Sequence, residues 1–387
     1  MEMTIAFVIS IVFLAALLLP GVKVRPKGDT AFFDRIATKE IQGFLAVFII
    51  FHQTIVILEG LAAETGLMQN FYYYGILAVA FFFFCSGFGL IKRQMTDKDY
   101  IKGFMKRRIF TVLVPFFICN YIYLTVAILE NIRYGEHFGF VELILAFFGL
   151  FLVNNQMWFA VEIMLLYVIF RIVFKRVKNI RNGILIMTAA AVLMIITGLL
   201  AGHSESAVMT YWFQGEWWYN TVLMFPLGMF YAYKEEKINN VISKAFASVL
   251  VASSVLFLLM DYVHRILIKY NIYWREYSND DLHMFEKLLG LSQETIFEIV
   301  FLVLVITIMS RLNFGNPVLK FLGKISLEVI MLNLLMIGEF MFLYVKYGIW
   351  AYLPAVIVST IVCASVVYLI KNIVLERRSG LFDGKIR

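Results

Sequence analysis

Eleven apolar stretches follow one another through this 387-residue chain, separated by short charged connections. They lie at 3–20, 40–58, 73–91, 109–129, 157–174, 183–201, 218–233, 245–264, 293–310, 325–345 and 350–370. Crossing the hydrocarbon core of a bilayer takes roughly 17–25 helical residues. Lipid offers no partner to a bare N–H or C=O, so each crossing must bond its own backbone as a helix. The expected fold is therefore all-α, a polytopic transmembrane bundle of about eleven spans. Composition excludes a soluble domain: 61% of residues are hydrophobic and only 16% are charged, with a mean hydropathy of +0.82. Aromatic residues, with 38 Phe and 20 Tyr, suit lipid-facing surfaces and interfacial belts. The net charge of +7 does not point to nucleic acid, because the Lys and Arg sit at span ends, where they set topology.

The basic residues alternate along the chain. Lys23, Arg25, Lys27, Arg35 and Lys39 crowd the first connection, and residues 59–72 contain no Lys or Arg. Lys92, Arg93, Lys98, Lys102, Lys106, Arg107 and Arg108 crowd the next; 202–217 again lack both. Taking the basic connections as cytoplasmic puts the N-terminus out and the C-terminus in, which needs an odd number of crossings. Only one full crossing then fits between residues 130 and 171. The short apolar run 141–153 is accordingly expected to be re-entrant or interfacial. The first segment has Glu2, no basic start and no small-x-small site before Pro20, so it reads as a retained helix rather than a signal peptide. Cys85, Cys119 and Cys363 sit in apolar runs without metal-ligand spacing and read as buried packing residues. One membrane domain is expected over 30–372, with an N-terminal helix and linker at 1–29 and a tail at 373–387.

Two features stand out within the spans. His52 is an imidazole inside an apolar helix, which is costly in lipid without a role. One span later come Phe81, Phe82, Phe83, Phe84, Cys85, Ser86, Gly87, Phe88, Gly89 and Leu90. Aromatics at that density cover lipid or line a slot, and the small residues thin the helix so that another backbone can approach.

Six phrases occur in order: 39–52 ending in His52, the 81–90 block, 100–108 followed by Pro115 and Phe116, 155–159, 216–220 followed by Pro226 to Gly228, and 321–333. Together they resemble the acyltransferase-3 family of integral membrane O-acyltransferases over residues 30–372. The resemblance implies a ten-helix core plus one N-terminal helix. It also implies transfer of an acyl group, usually acetyl, from cytoplasmic acyl-CoA to a hydroxyl of an extracytoplasmic glycan or lipid-linked sugar. The setting would be the bacterial cytoplasmic membrane, with acyl-CoA as co-substrate and no metal or resident cofactor. Two departures stand beside this. The residue eleven positions before His52 is Ile41, where the family usually has a basic residue, whereas Gln42 and Gln53 form an eleven-apart pair. Asn333 occupies a position where the family commonly has His, and an amide cannot shuttle a proton.

For individual residues two readings stand side by side. His52 is either the general base for the acceptor hydroxyl or a structural histidine bonded to a neighbouring helix. Glu162 has no basic residue within a turn and is expected at a cavity, as a second catalytic candidate; Glu328 either serves there or pairs with Lys324. Arg35, Lys39, Lys102, Arg107 and Arg108 either set topology or hold the phosphates of the donor. Ser86 is either a donor-side contact or a packing residue. Trp158, Trp217, Trp218 and Asn220 are candidates for the acceptor sugar, with interfacial anchoring the alternative for Trp217 and Trp218. His137, His203 and His283 fall in outer loops without metal-ligand spacing. The competing class is a transporter or flippase of a polysaccharide or isoprenoid-linked precursor, which hydropathy alone does not separate from an enzyme; a homologue with weakened chemistry is the other alternative.

Overall fold

The computed structural model describes residues 2–26, 28–97, 99–134, 139–201, 210–211, 219–270 and 284–383. Helix α1 (Glu2–Leu18) leads into a two-residue strand β1 (Lys23–Val24) and then α2 (Arg35–Gly60). The Asp34 carboxylate starts α2 by accepting from the N–H groups of Ile36 and Ala37 at 2.7 and 2.9 Å. A 3-10 helix (Gly66–Tyr74) runs directly into α3 (Gly75–Thr96). Helix α4 (Phe104–Arg108) continues through one π-helical turn (Ile109–Leu113) into α5 (Val114–Tyr134). Next come α6 (Phe140–Phe147), β2 (Phe151–Leu152), α7 (Trp158–Arg176) and α8 (Ile180–Ala201). Strand β3 (Thr210–Tyr211) pairs antiparallel with β2.

The second half contains α9 (Met224–Lys244), α10 (Phe246–Lys269), α11 (Met284–Met309), β4 (Leu312–Asn313) paired with β1, α12 (Pro317–Lys324), α13 (Ser326–Glu339), α14 (Met341–Tyr347) and α15 (Ile349–Asp383). Among the described residues eight helices are long and apolar enough to span, and α12 with α13 makes a ninth crossing if that pair, bent by 76°, is one span. The other two apolar stretches are α1, a shorter apolar helix, and α9. Only the first half of α9 is apolar; Lys234, Glu235, Glu236 and Lys237 occupy its middle. Residues 141–153 form the eight-residue α6, about 12 Å long at 1.5 Å per residue, then a turn at Gly149 (φ +70°) into β2. That piece is too short to cross, in line with the charge alternation.

Two close backbone crossings hold the bundle together. Where α3 meets α9, Gly87 lies against the Phe225 carbonyl and Gly228 lies against the Phe84 carbonyl, so a methyl group at either glycine would overlap a backbone oxygen. Where α2 meets α12, Gly43 faces the Leu319 carbonyl and Gly323 faces the Lys39 carbonyl in the same reciprocal way. Small residues at such positions let dispersion contacts between backbones replace the hydrophobic drive that lipid removes. Gly89 is different: open space surrounds the position a Cβ would take.

The aromatic block corrects the sequence expectation. Phe81, Phe82, Phe83 and Phe84 do not cover lipid, being 0–6% exposed. Phe33 packs edge-on against Phe81, Phe84 and Phe88, and Phe83 stacks on Trp158 at 6.2 Å. Offset and edge-to-face ring pairs fill volume densely, which suits the interior more than a lipid surface. The apolar exterior comes instead from aliphatic faces such as Val251, Val255 and Leu258 of α10 and Val358, Val362 and Val366 of α15. Of the three thiols, Cys119 is buried, whereas Cys85 and Cys363 are half-buried.

Gly87→Ala and Gly228→Ala are each expected to destabilise the purified protein by about 1–3 kcal/mol, the usual effect of overpacking. Gly89→Ala should not lower the thermal unfolding midpoint, since its methyl meets open space and Ala is the better helix former. Equal midpoints for all three variants would refute the crossing as a stabilising contact.

Candidate active site

A cavity opens among α2, the 3-10 helix, α3, α7, α10 and α13, at the end of the bundle where α2 finishes and α3 begins. His52 lines it. Its Nδ1 lies 3.1 Å from the Phe71 carbonyl oxygen, which can only accept, so Nδ1 carries the hydrogen and donates. In the neutral ring the lone pair is then on Nε2. Gly75, the first residue of α3, makes room for the imidazole, since a side chain there would occupy the ring's own volume. The preceding turn supplies Tyr72, whose ring centroid is 6.4 Å from that of His52.

The neighbouring residue of α2, Gln53, also lines the cavity and donates through Nε2 to Gln156 Oε1 at 3.1 Å. Its eleven-apart partner Gln42 is buried nearer the other end of α2. The amide pair is thus split between the two halves of the helix, and only Gln53 reaches the cavity. Trp158 and Phe159 at the start of α7 form another wall, oriented by Asn154, which accepts from the Gln156 N–H and donates to the Met331 carbonyl. Asn333 of α13 and Thr221 complete the polar lining; the Asn333 amide and the Thr221 hydroxyl are fully buried with no hydrogen-bond partner. Buried polar groups in a native fold are nearly always satisfied, so orphans at a cavity wall mark where a ligand or water bonds.

Glu162 does not line this cavity. It sits one turn beyond Trp158 on α7, about 6 Å along the axis, buried and with neither carboxylate oxygen hydrogen-bonded. Glu298 on α11 is in the same condition. Glu162 is thus not among the residues that this cavity brings together. Asn220 is buried beside Thr221 and donates to Glu294 Oε2 at 2.6 Å, next to the cavity without lining it. Trp217 and Trp218, with Glu216, lie outside the described residues.

His264 on α10, which the sequence expectations do not include, lines the cavity as well. The signal was available, because a histidine within an apolar 24-residue helix is as costly as His52. Its ring meets Tyr73 edge-on at 6.4 Å and Phe297 at 5.6 Å.

The opposite end of the bundle is where the cations gather. Lys92 pairs with Glu235 at 2.5 Å, Arg311 donates to the Ser243 carbonyl at 3.2 Å, and Lys39 donates to the Gly323 carbonyl at 3.1 Å. Glu328 pairs with Lys371 of α15, not with Lys324. The bend between α12 and α13 separates Lys324 from Glu328, and the long α15 brings a lysine to the buried carboxylate instead. Arg108 lies over the rings of Phe104 and Tyr167 at 5.2 and 4.8 Å and donates to the Tyr100 hydroxyl at 2.6 Å. Arg107 donates to the Tyr100 carbonyl and is exposed. Ser86 shares a 2.6 Å hydrogen bond with the Tyr167 hydroxyl. Three donor-side candidates are therefore joined through Tyr100 and Tyr167. Lys102 is exposed and pairs with Asp99 at 2.8 Å, which raises its ammonium pKa; Arg35 is exposed at the start of α2. Lys39 and His52, thirteen residues apart on α2, are separated by about 20 Å along its axis.

Membrane-length helices enclosing a polar, imidazole-bearing cavity, with cations gathered at the far end, define a polytopic membrane protein with an internal site. A family model described as an acyltransferase domain matches residues 41–369, most of the chain, and the protein belongs to the acyltransferase-3 family of membrane acyltransferases. No curated protein and no solved structure matches the chain.

The matched region begins after α1, yet α1 braces the site. Phe7 packs edge-on against Phe71 at 5.7 Å, and Ser10 donates to Met68 Sδ. Phe71 is the residue whose carbonyl fixes His52. Phe7→Ala should speed hydrogen exchange of the 66–74 amides roughly three- to tenfold, as losing one ring pair predicts; unchanged exchange would dismiss the brace. Lys371→Met should cost about 3–5 kcal/mol by stranding the Glu328 carboxylate, and adding Glu328→Gln should recover most of it. Additive losses in chemical denaturation would count against the pair.

Proposed function

We propose that the protein is an O-acyltransferase that moves an acyl group, acetyl in the simplest case, from acyl-CoA to a hydroxyl of an extracytoplasmic glycan or glycolipid. The observation that carries this reading is the His52 geometry: Nδ1–H is committed to the Phe71 carbonyl, so Nε2 is the ring nitrogen left to act as base, and the residue lines a cavity walled by aromatic rings and amides. Nε2 takes the proton of the acceptor hydroxyl as its oxygen attacks the thioester carbonyl carbon. The new C–O bond forms, the C–S bond breaks, and the departing CoA thiolate receives the proton from His52. The Asn333 amide and the Thr221 hydroxyl offer donors to the transient oxyanion. Asn333 can serve in that way without shuttling a proton.

The donor would enter from the basic end, with Arg107 and Arg108 nearest the surface and Lys39 deeper along α2. This assigns the basic end to the cytoplasm, with the N-terminus outside and the C-terminus inside, and puts the cavity on the extracytoplasmic side where a glycan arrives. The protein would reside in a bacterial cytoplasmic membrane.

The test uses the protein in lipid nanodiscs with labelled acetyl-CoA and a lipid-linked oligosaccharide. Wild type should transfer label, and His52→Ala should lose about 100- to 10,000-fold in kcat, the range of a general base. Undiminished transfer by His52→Ala would remove the base assignment, and absence of transfer by wild type would favour transport.

A further inference from the structure

We infer that Tyr123 and Asn154 are positioning residues that aim the Asn333 amide at the reacting carbonyl, a role that rests on the acyl-transfer reading of the cavity. Their contacts converge on one rung of α13. In a regular α-helix the Leu335 N–H would donate to the carbonyl of Met331, four residues earlier. Here that N–H donates to the Tyr123 hydroxyl at 2.7 Å, and the Met331 carbonyl accepts from Asn154 Nδ2 at 3.3 Å. Both groups of a single helical rung therefore have a side-chain partner, one from α5 and one from the residue that caps the 3-10 turn Asn155–Met157. Asn333 lies midway between them in sequence.

Stability alone does not call for these two contacts. The Leu335 N–H and the Met331 carbonyl satisfy one another in an uninterrupted helix, so Phe at 123 and Ser at 154 would strand no backbone group of α13. Asn154 Oδ1 has a separate task, accepting from the Gln156 N–H at 2.9 Å, and a Ser hydroxyl caps a turn about as well. Tyr123 and Asn154 are both buried, and a hydrogen bond that replaces another contributes little net stability. What the two contacts do set is geometry, because side chains inserted at a helical rung bend the backbone locally.

Asn333 is the group that gains from an external hold. Its side chain is fully buried, and among the described residues neither Oδ1 nor Nδ2 has a hydrogen-bond partner. The amide is thus aimed by packing and by the backbone of α13, whereas Gln53 is held directly through Gln156. A donor to a developing oxyanion works when it already stands about 2.7–3.1 Å from where that oxygen will be. A misplacement of about 1 Å can lower the rate about 100-fold. Tyr123 and Asn154 grip α13 on either side of Asn333 and do not themselves line the cavity, so their influence on the reacting atoms passes through that amide.

A double-mutant cycle on the full chain in nanodiscs, read with labelled acetyl-CoA and the lipid-linked oligosaccharide, tests this. Tyr123→Phe keeps the ring and removes the acceptor; it should lower kcat about 10- to 100-fold and leave both KM values within about twofold. Asn154→Ser keeps the cap and withdraws the donor from Met331; it should act alike, and it serves where Tyr123→Phe does not fold. Asn333→Ala should lose about 100- to 1,000-fold in kcat. In the Asn333→Ala background neither Tyr123→Phe nor Asn154→Ser should lower kcat by more than about twofold further, since the group they aim is gone. A merely structural role would instead repeat the full loss in that background. Such additivity, an unchanged kcat in both single variants, or a fully active Asn333→Ala overturns the inference and leaves the transferase reading standing. Absence of transfer by wild type overturns both.

Discussion

The close approach of α2 to α12 at Gly43 and Gly323 is the contact on which the arrangement of both ends of this protein depends. In lipid, apolar side chains gain little from meeting one another, so helices stay together where their backbones can touch. That contact fixes α2 as the central axis. At its start Lys39 reaches the Gly323 carbonyl, in the last turn of α12 before the bend into α13. Toward its other end, His52 meets the 3-10 helix and the first residue of α3. The second reciprocal crossing, between α3 and α9, holds the aromatic block in the interior and aligns the first turn of α3 with the imidazole.

The two ends of α2 are chemically unlike. One is rich in cations, several already occupied by carbonyls, carboxylates or aromatic faces. At the other, the cavity is lined by amides, hydroxyls, imidazoles and aromatic rings rather than by the cations themselves. A charged donor and a hydroxylic acceptor have opposite solvation needs, and a helix that separates their surroundings by about 20 Å lets each be met without compromising the other.

Much of the fold was legible in the sequence because bilayer thickness and the charge of connections are local properties. The spans, the non-spanning piece at 141–153 and the role of Gly87 follow from them. Gly89 does not share that role, since helix phase rather than composition decides which glycine faces α9. Burial of the Phe81–Phe84 rings is not legible for a related reason: a run of four aromatics points all around a helix, and the partners that bury them, such as Phe33, Trp158 and Phe159, are remote in sequence. Glu328 found Lys371 rather than Lys324 because a bend breaks the i, i+4 geometry. At the site, His52 was legible from its cost in lipid, whereas His264, Thr221 and the seating of Gly75 under the imidazole required the packing of distant helices.

Helix α1 has one face of Ile5, Val8, Ile9 and Val12 turned outward and another, with Phe7 and Ser10, pressed on the 3-10 helix. A single helix thickness therefore lies between the bilayer and the carbonyl that selects the tautomer of His52. The imidazole lines an internal cavity, yet mechanically it is a near neighbour of the lipid.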